Sequence, residues 1–189
     1  PAPAKSVVEV RAQMVPPLAA RYDWAGPATN ATEREHPTAM NYELYMRAAL
    51  AEAAQAAGAG EWADGAVAVL DEALVAHGRS SVTESGDPTA HAVLTAVREA
   101  AVGLGRRSLA GMTVFCVVEP CAMCVGALQQ ADVDGVVFAL PDPGQGACIS
   151  AVNLAEAPGL PRRLSVVSGI LRDDAAELRP DLVPESASS

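Results

Sequence analysis

Apolar and polar positions alternate along this chain with two different periods. From Asn41 to Ala57 the stretch is alanine-rich, with Leu44, Ala48 and Leu50–Ala51 at helical spacing, which predicts a helix. Gly65–Leu70 and Ala73–His77 are short apolar runs separated by Asp71-Glu72, the pattern of a β-hairpin. Asp87-Pro88 offers a capping side chain and a first-turn proline for a helix running to about Ala101. Thr113–Val118 is rich in β-branched residues and reads as a strand; Glu119-Pro120 opens another helix to about Ala131. Val136–Leu140 and Leu164–Ser168 complete the set as strands. A hairpin followed by alternating helices and strands implies an α/β layered domain on a central mixed sheet of about five strands.

The two ends have another texture. Residues 1–40 carry six prolines and balanced charge and read as an N-terminal extension, leaving 41–172 as the patterned domain. Residues 173–189 form an acidic tail, with a short helix expected over Asp173–Leu178 and disorder beyond Pro180. Half of the 189 residues are hydrophobic and 19% are charged, enough apolar material for a packed core. Thirteen Lys and Arg against 23 Asp and Glu give a net charge of −10, and the patterned domain alone carries 8 arginines against 14 acids. Proteins that grip phosphate backbones are usually basic, so autonomous nucleic-acid binding is disfavoured. No apolar run reaches the roughly 18 residues of a membrane span, and no signal-peptide pattern opens the chain. A cytoplasmic location away from membranes is therefore expected.

Candidate chemistry concentrates in two short stretches. Asp87-Pro88-Thr89-Ala90-His91-Ala92-Val93 and Glu119-Pro120-Cys121-Ala122-Met123-Cys124 each place possible metal ligands in the first turn of a helix after a proline. A helix N-terminus favours thiolate over thiol, and zinc takes thiolate sulfur and neutral imidazole. His91, Cys121 and Cys124 make three ligands, and a three-ligand zinc site keeps a fourth position open for catalysis. A lone C-x-x-C is also a redox motif, and four cysteines can pair as disulfides in an exported domain; the joint pattern with His91 favours Zn2+. His36, His77, Cys116 and Cys148 are read as non-ligands. Asp87 is read as a helix cap and Glu119 as a structural cap.

These two motifs resemble the zinc-dependent cytidine deaminase superfamily, most closely the branch of tRNA adenosine deaminases and bacterial guanine deaminases, whose signature is H-x-E with P-C-x-x-C. The resemblance spans about Asn41 to Leu171. It implies a three-layer α/β/α domain, often dimeric, and a homodimer is expected here. It also implies zinc on His91, Cys121 and Cys124, and a substrate pocket that includes Ser80, Ala92, Val93 and Pro120. The family's proton-shuttling glutamate falls at position 93, where this chain has Val93. A side chain that neither accepts nor donates a proton forgoes about 10²–10⁴-fold in rate. Ser80 stands where an asparagine is usual, and Ala63-Asp64 where a proline-containing approach to the first strand is common. Glu84 and Asp142 are the candidate substitutes for the missing carboxylate. Two functional readings follow. One is a redirected zinc enzyme, or binder, of a small heterocycle. The other is a catalytically inactive subunit of a heteromeric tRNA adenosine deaminase, whose partner chain carries His-Ala-Glu. A third reading takes Val93 as an engineered change.

Overall fold

The computed structural model describes residues 40–160 and 162–183. The expected extension lies outside these residues except for Met40, and so does the end of the tail from 184 onward. The order is helix α1 (Tyr42–Gly58), strands β1 (Gly65–Leu70) and β2 (Ala73–Arg79), a single turn α2 (Val82–Ser85), α3 (Ala92–Leu104), β3 (Met112–Val118), α4 (Ala122–Gln130), β4 (Gly135–Leu140), β5 (Ser165–Ser168) and α5 (Arg172–Leu178). A 3-10 turn over Pro180–Leu182 follows, so ordered chain continues past the point where disorder was expected. Turn α2 was not foreseen; it is a four-residue element with no buried side chain.

The sheet has five strands in the order β2-β1-β3-β4-β5. β1 pairs antiparallel with β2 and β3, whereas β3–β4 and β4–β5 are parallel. It is therefore the mixed sheet that the pattern implied. Side chains alternate between its faces. Ala66, Ala68, Val114, Cys116, Val136 and Phe138 pack on one side with Val93, Ala96, Val97 and Ala100 of α3 and Cys124, Val125 and Leu128 of α4. Val67, Val69, Phe115, Val117, Val137 and Ala139 pack on the other with Tyr45, Met46, Ala49 and Ala53 of α1 and Ala175 of α5. Two helical layers thus enclose one sheet, a three-layer α/β/α domain.

Two helix starts differ from the sequence-based expectation, for the same reason. Asp87 does not cap α3: its Oδ1 accepts the Thr89 N–H at 2.8 Å and the Thr89 hydroxyl at 2.7 Å, closing a local turn around Pro88. The helix opens four residues later, where the Thr95 N–H reaches the His91 carbonyl at 3.0 Å. Likewise the Pro120 carbonyl accepts the Ala147 N–H, and α4 begins with the Val125 N–H on the Cys121 carbonyl at 2.9 Å. His91 and Cys121 are therefore N-cap residues rather than members of the first turn.

The close fit of α3 on β2 sets where His91 sits. A Cβ on Gly78 would lie 2.5 Å from both the Ala92 carbonyl oxygen and the Ala96 nitrogen, so only glycine lets the helix settle there. Gly78→Ala is expected to cost about 1–3 kcal/mol by overpacking. It should also weaken metal binding through displacement of the adjacent His91. Thermal unfolding and metal competition of the variant check both.

Candidate metal and substrate site

The start of β1, the ends of β2, β3 and β4, and the N-termini of α3 and α4 meet at one end of the sheet. His91 Nδ1 lies 3.7 Å from Cys121 Sγ and 3.8 Å from Cys124 Sγ, and the two sulfurs are 3.7 Å apart. Tetrahedral zinc with ordinary Zn–S and Zn–N lengths needs about 3.8 Å between sulfurs and about 3.6 Å between sulfur and nitrogen. The three donors thus already stand where one ion would hold them, and no fourth protein ligand joins the group among the described residues. Local structure explains the convergence. Cys121 is the N-cap and Cys124 the third residue of α4, the spacing that lets a cap and a third-position side chain meet over a helix mouth.

The cysteines fall into two groups: Cys121 and Cys124 belong to the trio, and Cys116 and Cys148 lie outside it. All four are free thiols. The Cys121 thiol is pulled down to about 5, first by its hydrogen bond with Cys124 and then by helix N–H groups and His91, against the opposing effect of burial. Its partner Cys124 is pushed up, so the first charge of the pair resides on Cys121. Cys116 is buried in the sheet with its thiol raised by burial. Cys148 is fully buried, and burial pushes its thiol up to about 12. His77 is exposed on β2 between Glu52 and Glu99, away from the trio; His36 lies outside the described residues.

Around the trio opens a cleft of about 630 Å³, within the range of small-ligand sites. Of the expected pocket residues, Ser80, Val93 and Pro120 line it, together with His91, Cys121, Cys124 and Asp142. Ala92 is fully buried and is not among the lining residues. Glu84 is exposed on α2 and does not line the cleft, so the structure does not bring this candidate acid to the site. Asp142 does reach the cleft, with Oδ1 accepting the Gly144 and Gln145 N–H groups in a tight turn.

Glu119 is more than a cap. One carboxylate oxygen accepts the N–H groups of Cys148 at 3.0 Å, Ile149 at 2.7 Å and Ser150 at 3.0 Å. The other accepts the Asp142 N–H at 3.0 Å and the Ser150 hydroxyl. Burial pushes its pKa up, but the hydrogen bonds from Ser150, Ile149 and Asp142 outweigh burial and hold it below its ordinary value.

Sequence reasoning noted Asp64 only as an irregular approach to β1. The structure places it in the cleft. Its parity is that of Ala66 and Ala68, the face packed on α3 and α4. Its carbonyl accepts the Ser80 N–H at 3.0 Å, and its Oδ1 accepts the Val118 N–H at 3.3 Å. Burial raises its pKa to about 6, in spite of the Val118 N–H and the nearby charges of Arg179 and His91. The legible signal was the alternation, which aims a polar residue at an otherwise apolar helix-facing row.

Two stability predictions follow from these carboxylates. Glu119→Gln removes a charged acceptor from among five donors and should cost roughly 2–3 kcal/mol at pH 7. The Glu119 contribution is full above the ordinary carboxylate pKa and lost as pH falls through its lowered folded value, so the variant and the parent should converge in strong acid. Asp64 behaves oppositely. Its raised folded pKa makes its ionisation a cost that grows from about pH 4 to about 6 and is complete above that. In the metal-free protein, Asp64→Asn should therefore stabilise by roughly 2–3 kcal/mol at pH 8 and by little near pH 4. Urea titrations at the two pH values decide both.

Comparison with known proteins agrees with this site. Residues 40–140 match the family model of the cytidine and deoxycytidylate deaminase zinc-binding region. The chain is 35% identical over 132 residues to the tRNA-specific adenosine deaminase of Bacillus subtilis, covering 70% of this chain and 82% of that one. It is 41% identical over 101 residues to the guanine deaminase of the same organism, covering 53% and 65%. A solved structure from work on A-to-I editing by tRNA:A34 deaminases superposes with a TM-score of 0.70 at 33% identity, covering 71% of this chain and 98% of that chain.

Proposed function

Because the chain belongs to the cytidine and deoxycytidylate deaminase family, we propose that it is a zinc-dependent member whose substrate is a small amino-substituted nitrogen heterocycle, handled by a proton route that does not use position 93. The observation that carries this reading is the open His91, Cys121 and Cys124 trio inside a cleft of ligand size. A zinc ion on these residues would supply a Lewis acid that lowers the pKa of water toward ~7.

The chain's own residues define what else can happen. Val93, 1% exposed, gives the cleft an apolar wall and no proton. Trp62, 62% exposed, offers a flat aromatic surface on the same cleft, suited to a planar ring. Five carboxylates line the cleft (Glu61, Asp64, Glu119, Asp142 and Asp181) against one arginine, Arg179, which is held by Asp181 at 2.7 Å. Such a surface accepts N–H donors of an amino-heterocycle and repels a phosphate backbone, which supports a free small molecule over autonomous nucleic-acid binding. We place the protein in the cytoplasm as a homodimer. No helix among the described residues is long and apolar enough to cross a membrane.

A second reading, an inactive subunit of a heteromeric deaminase, is favoured by Val93 itself, whose side chain belongs to the packed core of α3. Metal analysis combined with calorimetry separates the two. The expected result is one zinc per chain and binding of at least one of guanine, adenosine, cytosine or cytidine, with ammonia release where the ring fits, all abolished by chelation. Absence of zinc overturns the proposal. Zinc-loaded protein that binds none of these, but co-purifies with a related chain carrying His-Ala-Glu, establishes the subunit reading instead.

A further inference from the structure

Resting on the reading that the cleft takes an amino-substituted heterocycle, we propose that Asp64 is the catalytic acid and base of this site, moving the proton that Val93 cannot. Hydrolytic loss of an amine needs such a group. The oxygen of water bonds to the ring carbon while one of its protons passes to the carboxylate and on to the neighbouring ring nitrogen. The carboxylate then carries the remaining proton of the added hydroxyl to the exocyclic amine, the carbon–nitrogen bond to that amine breaks, and it leaves as ammonia while the ring carbon becomes a carbonyl. The carboxylate ends as it began, and the sum is heterocycle amine plus water giving the oxo-heterocycle plus ammonia.

The other acids of the cleft are more heavily engaged. Glu119 has both oxygens saturated by five donors. Glu61 accepts the Glu84 N–H at 2.6 Å. Asp142 is committed through Oδ1 to its own turn. Asp181 is locked in a two-pronged pair with Arg179. Asp64 is less engaged: its Oδ1 accepts one long hydrogen bond from the Val118 N–H, and the Gly65 N–H also acts on the carboxylate. The residue is only partly buried and lines the cleft.

Position relative to the ligands is equally specific. The pairing of Ala66 with Cys116 and of Gly65 with Arg79 brings Asp64 level with Val118 and Ser80, at the sheet end where α3 and α4 begin. Asp64 lines the same cleft as His91, Cys121 and Cys124. No hydrogen bond ties it to any of the three. Val93 lines the same cleft. Positions 64 and 93 are thus two seats around one space, one carrying a carboxylate and the other an isopropyl group. The raised pKa of Asp64 agrees with this assignment, since proton transfer is most efficient with a group poised near working pH.

The test uses purine and pyrimidin-2-one, heterocycles without an exocyclic amine. Adding water across their ring C=N bond requires a proton delivered to the ring nitrogen, and the product is seen by ultraviolet difference spectroscopy without turnover. Zinc-loaded wild type, Asp64→Asn, Asp64→Val and the double variant Asp64→Val/Val93→Glu are compared. The expected result is a hydration spectrum with wild type on at least one probe and a loss of at least about 100-fold in apparent affinity in both single variants. The double variant regains it, and all four retain one zinc per chain and the fold of the parent by circular dichroism. Asp64→Asn that hydrates the probe as wild type does overturns the assignment. So does wild type that holds zinc and binds an amino-heterocycle yet hydrates neither probe. Absence of zinc from the wild type overturns the functional reading above, and the assignment with it.

Discussion

One buried carboxylate holds the site together. Glu119 sits directly after β3 and before Pro120-Cys121, and its two oxygens gather four backbone N–H groups and one hydroxyl from residues 142–150. That segment has no regular secondary structure and could not otherwise satisfy its amides so close to the core. Through it the Ala147 N–H reaches the Pro120 carbonyl and Gly146 forms a bridge with Cys121. Gly146 has no room for a Cβ beside the Glu119 carboxylate, so the loop closes on it at the shortest approach the backbone allows. The place of Cys121, and with it the trio, follows from this anchoring.

Most of the fold was legible because its determinants are local. The hairpin around Asp71-Glu72 and the three buried strands β1, β3 and β4 show themselves as short apolar runs, and the His91, Cys121 and Cys124 set shows itself as residue types at helix starts. What failed was equally physical. Asp87 and Pro88 carry the residue preferences of a helix start and of a turn alike, and the structure uses them as a turn. Glu119 looked like a cap because its role depends on amides 23 to 31 residues away, a distance no local pattern records. Asp64 was overlooked because a single polar residue before a strand is ordinary. Alternation with Ala66 and Ala68 sets the face its side chain takes, but only the pairing register, which puts it opposite Ser80 and Val118, shows that this face lies at the sheet end where the site forms.

Asp64 and Val93 also illustrate how a layered fold distributes conflicting demands. Val93 fits its surroundings: it is apolar, packed and part of the core that holds α3 on the sheet. Asp64 does not, since its ionisation is opposed by burial. Residues that oppose stability in a well-packed domain are found where a site needs them. The disagreement between local packing and residue type at position 64 is therefore informative in itself, in a way that the conventional side chain at 93 is not.

The long stretch between β4 and β5 has a final consequence. Parallel strands need a crossover, commonly a helix that covers the sheet; here irregular chain runs from Pro141 and is fastened near its start by Glu119. Four of the five donors to Glu119 are backbone N–H groups, which most residues supply, whereas Gly146, the Ser150 hydroxyl and the buried Ala147, Cys148 and Ala155 are fixed by the packing. The stretch therefore divides into positions locked to the core and exposed ones, such as Gln145 on the cleft and Ile149 and Val152 nearby in sequence, whose side chains can vary without loosening the anchor.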